Sequence, residues 1–509
     1  MTDTSASIFR SARRFLSGTL LSRVTGLARD VAMAFAFGTQ GSVAGFMVAF
    51  RLAHLLRRIL GEGALQTAFI PHFETLRQES PSKAASFFRD LSRSLVYILL
   101  AVIALGGALL GSLLVFGNFS PDNQEIITLT LLMLPSLAFI CLFGLNSALL
   151  QCEKHYFLSG VAPCAFNLVW VLGVCSVWNM EGLSLFVIIA CAAQWIVTIP
   201  QTKALLKSLG TSTPPKVFSP QVRSLFPPLF LGILGISAAQ INNALDTLFA
   251  RYADLEGPAF LWYSIRIQQL PLALFGVALS GALLPPLARA IKNQEEGNFS
   301  RFLNLALKRS FALMLPITVG LFLMGDTCIQ LIYGRGEFGG DSVAGTTLCL
   351  WGYAFGLIPM TWILIFGPAY YAQNDYATPT RGAIGAVLLN IFLNALFIFG
   401  FGWKSESVAW ATSFSAWANC LYLAHYLRDR IDLSFNREAT RTALATLSGA
   451  VALLLVGSQF LPLAQGQIPL STPFANTLLH FTLQISAFGL AFLTIYRTYI
   501  KEVLFSFDN

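Results

Sequence analysis

Fourteen long apolar stretches constrain this chain more than any other feature. They fall near residues 15–37, 42–75, 95–117, 125–150, 156–178, 183–202, 229–250, 259–288, 310–333, 345–372, 380–401, 405–427, 442–463 and 474–499. A helix needs about 20 apolar residues to cross the hydrocarbon of a bilayer. In lipid, every backbone amide must find its partner within the protein. The reading is therefore an all-α polytopic membrane protein with fourteen spanning helices. Composition agrees: 11% of the 509 residues are charged, against about 25% in soluble domains. Pro135, Pro271, Pro359 and Pro368 lie within the stretches and predict kinks there.

Basic residues set the orientation. With the N-terminus inside, 24 of the 33 Lys and Arg fall in inner loops and tails. Three, Arg251, Arg335 and Lys404, fall outside, and six lie within spans. That bias follows the positive-inside rule and puts both termini in the cytoplasm. Residues 1–14 are polar, and the next stretch is interrupted by Arg23, Arg29 and Asp30. The start reads as a cytoplasmic tail entering a retained helix, since a signal peptide needs a clean apolar run. The eight cysteines include no CxxC pair and no Cys/His cluster, so neither a disulfide framework nor a zinc site is expected.

A faint internal repeat accompanies this pattern. Ala64–Pro71 (ALQTAFIP) reads against Ala278–Pro285 (ALSGALLP), and the short inner loop Gln151–Phe157 reads against Ala372–Thr378. Six spans separate the members of each pair. An even number preserves orientation, so spans 1–6 and 7–12 would form parallel repeats about an axis along the membrane normal. Chance similarity among Ala/Leu-rich helices gives the same weak match. The expected division is a tail (1–14), an N-lobe (15–202), a cytoplasmic linker (203–228), a C-lobe (229–427), two C-terminal spans (428–500) and a tail (501–509).

Charges inside the spans carry the functional information. Span 1 holds Arg23, Arg29 and Asp30; span 2 holds Arg51, Arg57, Arg58 and Glu62; span 7 holds Asp246 and span 8 Arg266. A central arginine costs roughly 2.5–3.5 kcal/mol on insertion scales. Six unsolvated arginines would cost on the order of 15 kcal/mol, and the acids are too few to neutralise them. A positive surplus at membrane depth implies an anionic ligand, and the planar arginine fork suits phosphate. Bracing is the alternative. Arg23 and Asp30 share a helix stripe about 10 Å apart, Arg58 and Glu62 are an i,i+4 pair, and Arg51 lies near enough to the outer surface to snorkel.

These residues also carry a family resemblance. Ser22-Arg23-Val24-Thr25-Gly26-Leu27-Ala28-Arg29-Asp30 resembles the SRxxGxxRD opening of the MurJ (MviN) lipid II flippases. Leu55 to Ala64 resembles their LLRRxxxEGA segment. Arg266, with Phe275 to Leu279 and Leu284-Pro285, is similar to their eighth-helix arginine and the stretch after it. Tyr333-Gly334 with Phe338, and Gln373-Asn374-Asp375 with Thr378-Pro379, are similar to later landmarks; the likeness runs from about residue 15 to 430. It implies the multidrug/oligosaccharidyl-lipid/polysaccharide exporter fold: two six-helix lobes around a central cavity, plus two C-terminal helices forming a lipid-tail groove. It further implies a flippase carrying lipid II, an undecaprenyl-pyrophosphate-linked muropeptide, across the bacterial inner membrane by alternating access. Arg23, Arg29, Asp30, Arg57, Arg58, Glu62 and Arg266 would form the substrate site, with arginines on the pyrophosphate. The chain departs from many members at Ala44 and Ile265, where they carry acids; a proton-carrying role does not transfer to those positions.

Driving force is a separate question. Some family members have a cation site on spans 7, 11 and 12. Asp246, Asn390, Asn394, Thr412 and the Val408 carbonyl could supply oxygens for a Na⁺ coupling ion, while hydrogen bonding between helices would equally account for the asparagines. No other cofactor, no catalytic step and no nucleic-acid partner are expected; membrane lipids are, and a monomer suffices. A cation-coupled multidrug exporter of the same fold would want an acidic cavity. A flippase for another polyprenyl-pyrophosphate-linked oligosaccharide shares the pyrophosphate and stays open. A membrane glycosyltransferase would need a catalytic acid and a metal-binding carboxylate pair, which the short outer loops lack. A receptor or scaffold would not need six intramembrane arginines.

Overall fold

A computed structural model describes residues 5–55, 64–210, 214, 216–430, 437–455 and 473–496. Regular structure among them is helical, with no strand. The chain divides into two compact units, Met1–Arg251 and Tyr252–Asn509.

The first unit holds α1 (Ser5–Phe37), α2 (Gly41–Ala53), α3 (Ala64–Glu79), α4 (Pro81–Phe116), α5 (Pro121–Met133), α6 (Ser136–Cys152), α7 (Tyr156–Ser176), α8 (Met180–Ser208) and α9 (Pro220–Ala253), which ends at the boundary. The second holds α10 (Gly257–Pro271), a π-helical segment Leu272–Val277, α11 (Ala278–Lys292), α12 (Glu296–Ile332), α13 (Gly340–Phe355), α14 (Leu357–Ala372), α15 (Ala377–Ala395), a second π-helical segment Leu396–Gly400, α16 (Glu406–Tyr426), α17 (Arg437–Leu455) and α18 (Pro473–Tyr496). The described part of every apolar stretch lies mostly on helix. By length and hydropathy, six described helices can cross a bilayer unaided: α4, α7, α8, α12, α15 with its π segment, and α18. The bent pairs α5/α6 (45°) and α13/α14 (41°) bring the number to eight. α1 is long enough, but Arg23, Arg29 and Asp30 interrupt its apolar stretch.

Two of the bends have legible causes. Pro135 sits between α5 and α6; it has no amide to give Leu131, whose carbonyl instead accepts from Leu134 N at 3.3 Å. The second bend falls at Gly356, three residues ahead of Pro359. Pro359 leaves the Phe355 carbonyl without its i+4 amide, and the Trp417 indole donates to that oxygen at 3.1 Å. Pro271 leads into the first π segment, whereas Pro368 lies inside α14 without a break.

The repeat reappears as local geometry. The matched segments lie on α3 and α11. Lys154 after α6 and Asn374 after α14 both take left-handed φ, +61° and +58°. Each is followed by the same closure, His155 N to Leu150 O (2.7 Å) and Asp375 N to Tyr370 O (3.1 Å). This is the hydrogen bond of a Schellman end, formed here about 220 residues apart.

Packing inside the first unit depends on small residues. A Cβ at Gly18 would stand 2.9 Å from the Phe157 carbonyl and 3.1 Å from Gly160, so α1 and α7 run backbone to backbone there. The core gathers Phe46, Trp170, Phe69, Phe73 and Phe87, all under 2% exposed. The 203–228 segment is pinned to α4: Lys216 N donates to Asp90 Oδ1 (2.7 Å) and Phe218 N to Ser94 Oγ (2.9 Å). The boundary of the first unit falls at Arg251, near the end of α9.

In the second unit, Leu287, Phe299, Leu303, Ile365, Phe366 and Leu423 form a core among α11, α12, α14 and α16. α17 and α18 pack on each other and on α12.

Candidate functional site

The sequence around Arg29 places one face of α1 against α7. Arg29 and Asp30 are both buried, 7% and 2% exposed. Arg29 donates to Asp30 Oδ1 through Nε (3.1 Å) and Nη2 (2.7 Å). Its Nη1 reaches Asn167 Oδ1 at 3.3 Å, and its guanidinium carbon lies 4.9 Å from the Trp170 ring and 5.9 Å from that of Phe166. Asn167 Nδ2 in turn donates to the Ser22 carbonyl (3.1 Å) and to Thr25 Oγ1 (3.0 Å). Ser22, Thr25, Arg29 and Asp30 thus meet around one asparagine and one tryptophan of α7. Neighbours on a helix diverge by about 100°, and the long arginine stem closes that gap. Arg23, seven residues before Asp30 on the same helix, is exposed. Asp30 forms an ion pair with Arg29, its neighbour in the chain. Arg57, Arg58 and Glu62 lie outside the described residues.

Farther along the first unit, Arg51 donates from α2 to the Asn243 carbonyl (2.9 Å) and Thr247 Oγ1 (2.7 Å) of α9. Arg251 donates to the Gly41 carbonyl (3.1 Å) and lies 3.8 Å from Asp122. Asp246 is 5% exposed, with Asn242 Nδ2 at 3.4 Å from its Oδ2.

In the second unit, Arg266 is half-buried on α10 with its guanidinium 4.7 Å over the Trp262 ring. It stands ahead of Pro271 and the π turns; such insertions often re-aim side chains at functional sites. Four of the five candidate cation residues meet within this unit. Asn394 Nδ2 donates to Asn390 Oδ1 (3.0 Å), Asn390 Nδ2 to Thr412 Oγ1 (3.4 Å), and Thr412 Oγ1 to the Val408 carbonyl (2.9 Å). Asn390, Asn394 and Val408 are at most 1% exposed.

Asn167, Trp170 and Thr247 were not among the expected site residues. Each is neutral, and the partner that gives it meaning lies more than 130 residues away. Other landmarks prove architectural. Tyr263, Tyr333 and Phe338 pack tilted or edge-on with centroids 5.0–5.7 Å apart, and Asp375 Oδ1 accepts from Thr378 N at 3.0 Å at the start of α15.

Known proteins match this chain along most of its length. The family model described as lipid II flippase MurJ covers residues 33–467. The probable lipid II flippase MurJ of Chlamydia muridarum is 36% identical over 431 residues, 83% of this chain and 78% of the relative. The lipid II flippase MurJ of Burkholderia cenocepacia is 29% identical over 405 residues, 77% of this chain and 78% of its own. Among solved structures, a lipid II flippase MurJ in an inward closed conformation superposes with a TM-score of 0.77 at 23% identity, covering 96% of this chain and 99% of that one. An inward-facing multidrug resistance MATE transporter of the MOP superfamily superposes at 0.62 with 13% identity, covering 82% and 98%. The last two show the fold; the family model and the Chlamydia relative place the chain by sequence, and it belongs to the lipid II flippase MurJ family.

Proposed function

We propose that this protein moves lipid II from the inner to the outer leaflet of the bacterial cytoplasmic membrane. The match to the lipid II flippase family over residues 33–467 is the observation that carries this reading. Alternating access between two six-helix lobes is the proposed route, with fourteen crossings and both termini in the cytoplasm. The charge bias of the loops supports that topology.

The pyrophosphate is assigned to the span arginines Arg23, Arg29, Arg57, Arg58 and Arg266, with Asp30 and Glu62 setting their positions. Arg23 is exposed and Arg266 half-buried, which leaves part of each side chain open to a ligand. Arg29, held by Asp30 and Asn167, would have to exchange one partner for the phosphate. Na⁺ coupling is assigned to Asp246 in the first unit and to the Asn390, Asn394, Val408 and Thr412 cluster in the second. That cluster supports the assignment because it gathers amide, hydroxyl and carbonyl oxygens in an apolar setting, and hard cations take oxygen ligands. The protein acts as a monomer and performs no covalent step.

Depleting the protein in its native cell tests the function. Lipid II should accumulate on the inner leaflet. Unchanged leaflet distribution and continued wall synthesis would reject the reading.

A further inference from the structure

An apolar groove in the first unit is unused by the transport site. It is lined by Leu65 of α3, Leu91, Leu95 and Ile98 of α4, and Phe226 and Phe230 of α9, among others. Phe226 and Phe230 are 38% and 60% exposed, so the groove has an open rim. Its α9 wall runs from Val222 to Ile233, a rise of about 16 Å. That is about half of a ~30 Å hydrocarbon core, the depth of one leaflet.

The mouth of the groove is built and basic. Phe218 takes a left-handed φ of +51°, strained for a bulky residue. It is held there by Ser94 Oγ on its amide and by Arg223 Nε on its carbonyl, at 2.9 and 3.1 Å. Its ring meets that of Phe226 at 6.3 Å. Arg223, Phe226 and Phe230 follow at i, i+3 and i+7, one stripe of α9. The charge at the top of that stripe stands about 10 Å above Phe230. Arg223 and Lys216 are both exposed, and Arg223 reaches the Phe218 carbonyl through Nε, which leaves the donors of its terminal amino groups for a ligand.

We propose that this groove is a binding site for an anionic phospholipid, with one acyl chain along α4 and α9 and the phosphate at Arg223 and Lys216. Charge complementarity favours a headgroup with net negative charge over a zwitterionic one. The one-leaflet length favours an acyl chain over a much longer polyprenyl tail.

The test places p-benzoylphenylalanine at Phe230, and separately at Leu172, which is 60% exposed on α7. The full chain is reconstituted in vesicles of equal parts phosphatidylglycerol and phosphatidylcholine with matched chains and no lipid II. Photo-adducts are read by mass spectrometry. At Phe230 the phosphatidylglycerol adduct should exceed the other about five-fold for one basic contact. Arg223→Glu should bring it to parity, Arg223→Lys should keep most of the preference, and Leu172 should show none. Parity at Phe230 in the unmodified background, or no adduct with either lipid, would overturn the site. So would displacement of the adduct by added lipid II, which would assign the groove to the polyprenyl chain.

Discussion

Arg29 illustrates how a charge is kept at membrane depth. Its guanidinium is neutralised by Asp30, hydrogen-bonded to Asn167 and stacked on Trp170. Removing one partner of a buried pair costs about 3–5 kcal/mol because the other charge is left uncompensated. Asp30→Ala should therefore lower the unfolding temperature in detergent sharply, and Arg29→Ala with Asp30→Ala should cost less than the two single changes summed. Strict additivity would mean that the pair is not coupled. Arg23, exposed on α1, separates binding from folding. Its Ala variant should keep wild-type thermal stability yet lose flipping, Arg266→Ala should lose flipping as well, and in both Lys should restore only part, since it keeps the charge without the fork. Full transport by both Ala variants would remove the pyrophosphate role. The sequence displayed every one of these charges, because ionisable residues stand out against an apolar background. Their neutral partners were hidden: nothing near Asn167 in the chain distinguishes it from other span asparagines.

At the scale of elements, hydropathy located the helices well because period and length act locally. Breaks were harder. Pro135 marked a bend where one occurs, while Pro359 acts through the carbonyl it leaves behind, so the chain turns at Gly356 instead. The turn after α14 offers a pH test. Thr378 donates to the Asp375 carboxylate through hydroxyl and amide, which holds its pKa below the ordinary 3.8. A depressed carboxylate stabilises the fold above its unfolded pKa, and that contribution fades as pH falls through the folded value. Asp375→Ala should thus cost about 1 kcal/mol of cap stability at neutral pH. The gap from wild type should begin to narrow below about pH 4 and close as pH falls through the lower folded value. A gap that stays constant as far down as the fold survives acid would exclude the carboxylate as its source. Topology can be read with two cysteines on neighbouring helices. Cys175 is exposed in the last turn of α7, the outer side in the proposed orientation, and Lys207 is exposed at the other end of α8. In spheroplasts an impermeant thiol reagent should label Cys175 and spare Lys207→Cys, with the order reversed in inverted vesicles. Labelling of both from one side would break the crossing count.

For the whole molecule, transport requires that ligands prefer different states, because a ligand shifts an equilibrium only by its differential affinity. The anionic substrate and a coupling cation can divide that work. The membrane potential adds about 2.3 kcal/mol per charge per 100 mV and favours outward passage of an anion and inward passage of a cation. Two features, each within its own unit, bear on the cation. Asp246 is a buried acid of α9, and the Asn390–Thr412 cluster joins α15 to α16. Asp246→Asn keeps size and most hydrogen bonding while removing the charge. Thr412→Val keeps shape while removing a hydroxyl that donates to Val408 and accepts from Asn390. If both features serve Na⁺, each variant should flip lipid II more slowly in vesicles, and its rate should no longer respond to a Na⁺ gradient. Photo-crosslinking of substrate to the cavity should be unchanged in both. If Asp246 alone matters, only its variant loses the gradient response, and the asparagine cluster is then a polar brace between helices. Wild-type rates and wild-type ion dependence in both variants would remove sodium from the mechanism and leave potential-driven movement of the anionic lipid as the engine.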